Sequence, residues 1–445
     1  MLFRSELIVK TWDTWMYYHR GTYYLYYLTS GTAPGDGFGV ATSVDGIRWH
    51  DYGRVLGPSD KMIRYLGTGS VWRAADAAET ERFLCNYSEW RKEGDHAVQR
   101  VLFATSDDLV TWHKLGDRHA FTIDERFYQK IKPDAHGPWE WPRWDGICVM
   151  PRPEGGYYGY WTATPKDTLG FGFGESDDGL HWRALAPPRV AWGDPPEMYF
   201  IEVGGVHAFE GRIYCMVGDY ADINCGMFTL VADSPAGPFR PAARNFSLLP
   251  NQSKMHTYFT RFLDTPDGVL VNHHTLAEGQ FSDDDFVVYF APLKQARIIE
   301  GGLYLAWWPG NDALKAIEVP VSQGSEEDLE VTMDTGIVLE GAMALPGSLF
   351  IGTGEDAGVR IRVSPEGVTE MGPGSREGAS FKCDERVDRA LAFGLRSRFR
   401  LLLRHTMIEF YLEDILIQCY TMDNPADGRI ALEGASDLRL WRWSP

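Results

Sequence analysis

The chain has 445 residues, with 43 Lys and Arg against 62 Asp and Glu, which gives a formal net charge of −19. This acidity disfavours a nucleic acid or an anionic membrane surface as a partner, and no stretch approaches the roughly 20 apolar residues of a membrane span. The length exceeds that of one ordinary core, so we expect a soluble protein of two domains.

The first ten residues carry three charged side chains and lack an apolar stretch followed by a small-residue cleavage site, so no secretory signal is predicted. Six cysteines form no Cys-x-x-Cys pair, and most have apolar neighbours. Buried free thiols are therefore favoured over disulfides or a zinc site, which predicts a reduced, cytoplasmic setting. A chain whose leader had been removed would look the same.

A repeat of a strand, an Asp-containing turn and an aromatic residue recurs along the first half of the chain. Its copies are residues 41–49, 104–112, 174–182 and, more weakly, 231–239. Tyr-rich hairpins precede several of them, as at residues 23–27. Four strands in roughly 60 residues are typical of a propeller blade with long loops.

A fifth, degenerate unit follows, with a Thr-Pro-Asp-Gly turn at residues 265–268. Beyond residue 310 the repeat stops, and new alternating strands begin, as at residues 399–403 and 408–412. We therefore predict an all-β chain, with a five-bladed β-propeller at residues 1–310 and a C-terminal β-sandwich at residues 311–445.

Three acidic residues, Asp13, Asp145 and Glu202, stand at equivalent positions ahead of inner hairpins with Gly-bearing turns. Because the inner strands of a propeller converge on a central funnel, we expect the three carboxylates to meet near the axis. Such a set suits glycoside hydrolysis, which needs one carboxylate as nucleophile or base and one carboxyl group as acid. An ordinary turn residue is the alternative for each of them.

Tryptophans flank two of these acids, and Trp faces stack well on the C–H faces of sugars. A place in the hydrophobic core is the alternative for each tryptophan. Arg143 is a candidate clamp for a hydroxyl or a carboxylate, with an exposed loop arginine as the alternative. The flanking tryptophans are Trp12, Trp15, Trp139, Trp141 and Trp144.

These motifs resemble the five-bladed glycoside hydrolases of family 32, the β-fructofuranosidases, and more distantly those of family 43. Asp13 ahead of Gly21-Thr-Tyr-Tyr-Leu25 resembles the first-blade acid of both families. The tail at residues 399–412 is similar to the family 32 sandwich. The motifs that resemble the second to fifth blades of family 32 are Gly69-Ser70, Asp145, Glu202 and Tyr289-Phe-Ala-Pro292.

The resemblance implies that Asp13 is the nucleophile, that Glu202 is the general acid/base, and that Asp145 holds a sugar hydroxyl and stabilises the transition state. It adds Ser70 as a substrate contact. Three family signatures differ here, and they predict a divergent member with an altered substrate or lost activity. Asn-Asp-Pro-Asn is replaced by Trp12-Asp-Thr-Trp15, Arg-Asp-Pro by Trp144-Asp-Gly146, and Glu-Cys-Pro by Glu202-Val-Gly204.

Other candidates compete with this set. Glu197 is the rival for the acid, although the strand spacing favours Glu202. In family 43 a histidine near the fifth inner hairpin lies close to the axis, which makes His256 a candidate substrate contact, with His273 and His274 beside it. A structural histidine is the alternative. The acidic run at residues 283–285 lacks the spaced oxygen ligands of a calcium loop, so a solvated turn is favoured.

We therefore expect an exo-acting, retaining glycosidase that cleaves a β-fructofuranoside or related furanoside, with a small carbohydrate as partner and with neither metal nor cofactor. One alternative is an inverting, family 43-like arabinofuranosidase or xylosidase. Another is a carbohydrate-binding propeller without catalysis. A sialidase is disfavoured, because its Asp-box is one residue short here. A homodimer in which the sandwich covers a neighbour's funnel is left open.

Overall fold

A computed structural model provides the fold. Across the described part of the chain, the backbone forms β-strands and two short 3-10 helices, Asp117–His119 and Pro309–Leu314, with no α-helix. No helix in this part is long and apolar enough to cross a membrane. The all-β prediction is confirmed. The described residues are 3–8, 10–30, 37–74, 82–132, 134, 140–193, 201–219, 226–250, 257–278, 287–321 and 329–443.

The first half of the chain forms four separate antiparallel sheets of four or five strands. The first sheet contains β1 (Lys10–His19), β2 (Thr22–Ser30), β3 (Gly37–Ser43) and β4 (His50–Leu56). The second contains β5 (Met62–Gly67), β6 (Val71–Arg73), β7 (Phe83–Glu93), β8 (His96–Ser106) and β9 (His113–Lys114). The third contains β10 (Trp144–Pro151), β11 (Tyr157–Ala163), β12 (Gly172–Ser176) and β13 (Arg183–Ala184). The fourth contains β14 (Ile201–Phe209), β15 (Arg212–Asp219), β16 (Met227–Ala232), β17 (Arg240–Pro241) and β18 (Ser247–Leu249).

The repeated Asp-containing turn has the same structure in the first three sheets. In the first copy, the Asp45 carboxylate accepts hydrogen bonds from the backbone N–H groups of Ile47 and Arg48, at 2.9 and 2.8 Å. The Ser43 hydroxyl accepts a third, from the N–H of Gly46 at 2.8 Å. Ser106 with Asp108, and Ser176 with Asp178, repeat these bonds. The repeat is therefore a side-chain-capped turn between the outer strands of each sheet.

The fifth predicted unit contains β19 (Thr257–Thr265), β20 (Gly268–Glu278), β21 (Val287–Phe290), β22 (Lys294–Ile299) and β23 (Gly302–Trp307). Its first strand, β19, contacts both β14 and β1, so it completes a propeller-like ring of inner strands. It differs from the prediction in one respect, because it is not a separate sheet. The bridge between Ala306 of β23 and Ile415 joins it to the sheet of the C-terminal region.

The C-terminal region is a large antiparallel β-structure with its own apolar core, which includes Leu339, Ile361 and Phe410. The predicted boundary at residue 310 falls inside the second 3-10 helix, and the division into two domains stays a prediction. The strands are β24 (Ile317–Val319), β25 (Leu329–Glu330), β26 (Ile337–Gly352), β27 (Ala357–Val363), β28 (Thr369–Ser375), β29 (Glu385–Val387), β30 (Arg396–Arg404), β31 (Met407–Leu412), β32 (Ile415–Thr421) and β33 (Arg429–Arg442).

Candidate active site

Four inner strands, β1, β10, β14 and β19, contain a register shift near their starts. The shift lies at Asp13 in β1, directly after Asp145 in β10, and one residue after Glu202 in β14. Asp13 has a left-handed backbone with φ of 35°, which is uncommon for a residue other than glycine. Because a bulge re-aims the neighbouring side chains, each acid lies at an irregular point of an otherwise regular strand.

Arg143 links two of the predicted catalytic residues. One of its terminal nitrogens, Nη2, lies 3.0 Å from Asp145 Oδ2 and 3.3 Å from Glu202 Oε1. All three side chains are largely buried. The second Asp145 oxygen accepts a 2.5 Å hydrogen bond from the Ser88 hydroxyl, which itself accepts one from Gln99. Arg143 is therefore a buried clamp for two carboxylates, not an exposed loop residue.

Glu202 has a second donor on its other oxygen. The Tyr258 hydroxyl, from β19, donates to Glu202 Oε2 at 2.8 Å. Burial raises the pKa of Glu202, and the Arg143 charge and the Tyr258 hydrogen bond oppose that rise. Glu202 is therefore a largely buried carboxyl whose charged form is stabilised by two donors, Arg143 directly ahead of β10 and Tyr258 in β19.

Asp13 is in a different environment. Burial raises its pKa well above the ordinary value, and the charge of Glu202 adds to the rise, while Arg261 and Arg143 oppose it. His274 Nδ1 lies 4.0 Å from Asp13 Oδ1, which is too long for a hydrogen bond. Burial lowers the pKa of His274 to about 3, so the imidazole is neutral at neutral pH and gives Asp13 no compensating charge. The structure thus brings Asp13, Asp145 and Glu202 into one electrostatically coupled cluster.

Two of the predicted substrate-binding tryptophans belong to the hydrophobic core, and those two predictions are wrong. Trp15 is 1% exposed and stacks on Tyr26, with ring centroids 5.6 Å apart. Trp144 is 0% exposed, and its indole N–H donates to the Phe121 carbonyl at 3.0 Å. Trp144 directly precedes Asp145, so strand alternation puts the two side chains on opposite faces. Trp15 is two residues from Asp13, and the bulge between Trp12 and Thr14 interrupts the alternation there.

Trp12 and Trp141 stay candidates for a sugar-stacking wall. Both are partly exposed, and each has a cationic side chain over its ring. The Lys10 ammonium lies 5.3 Å from the Trp12 ring centroid, and the Arg64 guanidinium lies 5.4 Å from that of Trp141. Both rings are therefore only partly buried, and they lie close in sequence to Asp13 and Arg143.

The Ser70 hydroxyl forms hydrogen bonds that join the second sheet to the third. It donates to the carbonyl oxygen of Ile147 in β10 and accepts a 3.0 Å bond from the Asn86 amide. Gly69 lies against the backbone, since a Cβ there would approach the Asn86 carbonyl oxygen to 1.7 Å. The predicted role of Ser70 in substrate binding stays a prediction, and its hydroxyl makes hydrogen bonds to Ile147 and Asn86.

Several predicted candidates lie outside the described residues. These are the substrate contact His256, the rival acid Glu197, Trp139 and the acidic run at residues 283–285.

His273, on β20, belongs to a different cluster, which also includes residues of the C-terminal strands β31 and β32. It lies with Glu409 and Cys419, all buried and close enough together to share an ion. The Lys294 ammonium, however, donates to a Glu409 oxygen and to the Pro292 carbonyl. Lysine already supplies the positive charge of this cluster, which favours the structural alternative for His273.

Sequence reasoning missed Tyr258, Ser88 and Tyr65. The pKa of Tyr65 is raised by burial and is also affected by the charges of Arg143 and Asp145, which places its hydroxyl near the cluster. In the structure Tyr258 pairs with His274 across its hairpin as Glu202 pairs with Gly218 across the fourth one. The fifth inner strand thus places a tyrosine where the other strands place acids.

No protein-family model matches the sequence, and no curated protein matches it. Solved structures do match. Sucrose-6-phosphate hydrolase from Lactobacillus gasseri is 16% identical, with a TM-score of 0.69 over 98% of this chain and 91% of that chain. A family 32 β-fructofuranosidase from Bombyx mori is 13% identical, with a TM-score of 0.67 over 97% and 91%.

A fructofuranosidase variant from Schwanniomyces occidentalis, solved with fructosylnystose, is 11% identical, with a TM-score of 0.69 over 100% of this chain and 97% of that chain. These alignments span both the propeller-like ring and the C-terminal β-region. At such low identity they establish the architecture of the chain and not its activity. The chain therefore has the propeller-plus-sandwich fold of the family 32 glycoside hydrolases.

Proposed function

We propose that this protein is a glycoside hydrolase that releases a fructosyl unit from a β-fructofuranoside by the retaining mechanism. The observation that carries the proposal is the Arg143 clamp, which holds Asp145 and Glu202 together beside the partly buried Asp13. The structural neighbours support the substrate class, since one was solved with sucrose and another with fructosylnystose.

In this mechanism an oxygen of Asp13 attacks the anomeric carbon while Glu202 donates its proton to the departing glycosidic oxygen. The product is a covalent fructosyl-enzyme. Glu202, now ionised, then takes a proton from water as that water attacks the same carbon and releases Asp13. Asp145 has its charged form stabilised by Arg143 and Ser88, and it accepts a hydrogen bond from a sugar hydroxyl.

The two buried carboxyls share the proton that this chemistry needs. The pKa of Asp13 is raised well above its ordinary value, whereas Arg143 and Tyr258 stabilise the charged form of Glu202, and no described side chain lies within hydrogen-bond distance of Asp13. Bond cleavage needs the proton on Glu202. Hydroxyl groups of the bound sugar must therefore donate to Asp13 and stabilise its anion when the substrate enters.

A substrate panel tests the function. The purified protein is incubated with sucrose, fructo-oligosaccharides, aryl arabinofuranosides and aryl xylosides, and product formation is followed by chromatography. Release of fructose is the expected result. Release of arabinose or xylose supports the family 43-like alternative instead, and sugar binding by calorimetry without any turnover supports the binding propeller.

We also propose that the protein works in a reduced compartment. The five described cysteines form no disulfide, and four of them, Cys85, Cys148, Cys215 and Cys419, are buried. A thiol count under denaturing, non-reducing conditions checks this, with six free thiols expected. Whether the protein forms the homodimer that the sequence leaves open is tested by sedimentation velocity.

A further inference from the structure

Arg261 lies on β19, one layer beyond the acids. It follows Tyr258 by three residues on β19, as Cys148 follows Asp145 on β10 and Gly205 follows Glu202 on β14. Its side chain is 4% exposed. Because three residues separate the members of each pair across a bulge, the second members form their own layer below the acids.

The guanidinium contacts the bulge that carries Glu202. Its Nη1 donates to the carbonyl oxygen of Val203 at 3.2 Å, to that of Gly204, and to Cys148 Sγ. Its Nη2 lies 3.3 Å from Thr68 Oγ1. A strand of the fifth group is thus bonded to the second, third and fourth sheets through one side chain.

The β14 bulge packs closely against the β19 backbone on either side of Arg261. Gly204 and Gly205 are closely packed, since a Cβ on Gly204 would come within 2.6 Å of the Thr260 carbonyl oxygen. Beyond the arginine lies a cavity of about 370 Å³, whose lining includes Arg261, Cys148 and Gly205 but none of the three acids. Arg261 therefore lies between this cavity and the carboxylate cluster.

The Arg261 charge has no carboxylate partner of its own. Among the residues that the structure describes, no carboxylate oxygen lies within 4.0 Å of its guanidinium nitrogens. Burial raises the pKa of the Cys148 thiol, so the sulfur stays protonated and offers no anion. The charge acts on the acids instead, because Arg261 opposes the rise in the pKa of both Asp13 and Glu202.

Counting charges shows why a second cation is needed. Three carboxyl groups belong to this cluster, and Arg143 supplies only one positive charge beside them. Burial keeps the Cys148 thiol, the Tyr65 hydroxyl and the His274 imidazole uncharged at neutral pH, and Asp264, which lines the same cavity as Arg261, bonds to His207 instead.

We propose that Arg261 is a positioning residue of the active site. It holds the β14 bulge that orients Glu202, and it supplies from the layer below the second positive charge that balances the carboxylate cluster. This inference rests on the proposed hydrolase function.

Three variants separate the two parts of this role. Arg261→Lys keeps the charge, Arg261→Gln keeps a donor for the Gly204 carbonyl without the charge, and Arg261→Met keeps neither. In the two uncharged variants the pKa values of Asp13 and Glu202 rise, so both limbs of the kcat/KM profile move to higher pH, by about half a pH unit or more. Arg261→Lys keeps both limbs near their wild-type positions.

A second readout does not depend on activity. The carboxyl groups are titrated by ¹³C NMR, with Asp13→Asn and Glu202→Gln used only to assign the signals. Higher titration midpoints for both carboxyls in Arg261→Gln support the proposal, whereas midpoints equal to those of the wild type overturn it. If the wild type cleaves no substrate of the panel, the hydrolase proposal fails, and the NMR titration still decides the role of Arg261.

Discussion

The hydrogen bond from Tyr258 to Glu202 offers a direct way to assign the roles of the two carboxyls. Tyr258→Phe removes only the hydroxyl that lies 2.8 Å from Glu202 Oε2 and keeps the buried ring. A hydrogen bond to a charged group contributes about 1.5–3 kcal/mol, and one pKa unit corresponds to about 1.4 kcal/mol. Because the bond stabilises the charged form of Glu202, its loss raises the pKa of Glu202.

The pH dependence of kcat/KM is the assay. If Glu202 is the acid/base, it must be protonated for the first step, so the alkaline limb moves to higher pH by about one to two pH units. If Glu202 were the nucleophile, the acidic limb would move instead. Tyr214→Phe is the matched control, since its buried hydroxyl donates to the Gly301 carbonyl at 3.1 Å, and neither limb should move. Unchanged limbs in Tyr258→Phe would refute this account of Glu202.

Three other predictions concern packing and charge. Trp144→Ala should lower the free energy of unfolding by about 3–5 kcal/mol in urea titrations, as expected for a core aromatic, whereas Trp141→Ala should raise KM with a smaller loss of stability; the opposite pattern would restore Trp144 as a sugar contact. Lys294→Met should cost about 3–5 kcal/mol because it leaves Glu409 buried without a counterion, and adding Glu409→Leu should recover most of that loss. Arg143→Lys should reduce kcat/KM by about tenfold or more, because an ammonium group does not reproduce the guanidinium geometry between two carboxylates; wild-type kinetics would show that the clamp is dispensable.

The turn motif could be predicted from sequence because its chemistry is local. A Ser two residues before an Asp caps its own turn, and Ser43 with Asp45 does so as the repeat indicates. The three acids could also be predicted from local sequence, because the spacing between each acid and the hairpin that follows it lies within one blade.

Other features depend on contacts between distant strands. Trp15 and Trp144 stand beside acids in the sequence, but core packing and sugar stacking use the same residue type, so adjacency did not separate the two roles. Arg261 and Tyr258 lie in the unit whose turn repeat is degenerate, and only the closed ring shows that they face the acids. The fifth unit joins the C-terminal sheet through the bridge between Ala306 and Ile415. No local sequence pattern predicts this pairing, because the two residues are far apart in the chain.

The central claim is that Asp13 and Glu202 carry out furanoside hydrolysis. The most direct measurement compares fructose release from sucrose and fructo-oligosaccharides by the wild type, Asp13→Asn, Glu202→Gln and the surface control Asp177→Asn, whose side chain is 91% exposed. We predict release by the wild type and the control, with a loss of roughly a thousandfold or more in each active-site variant. Full activity in Asp13→Asn or Glu202→Gln, with folding confirmed by circular dichroism, would contradict the account.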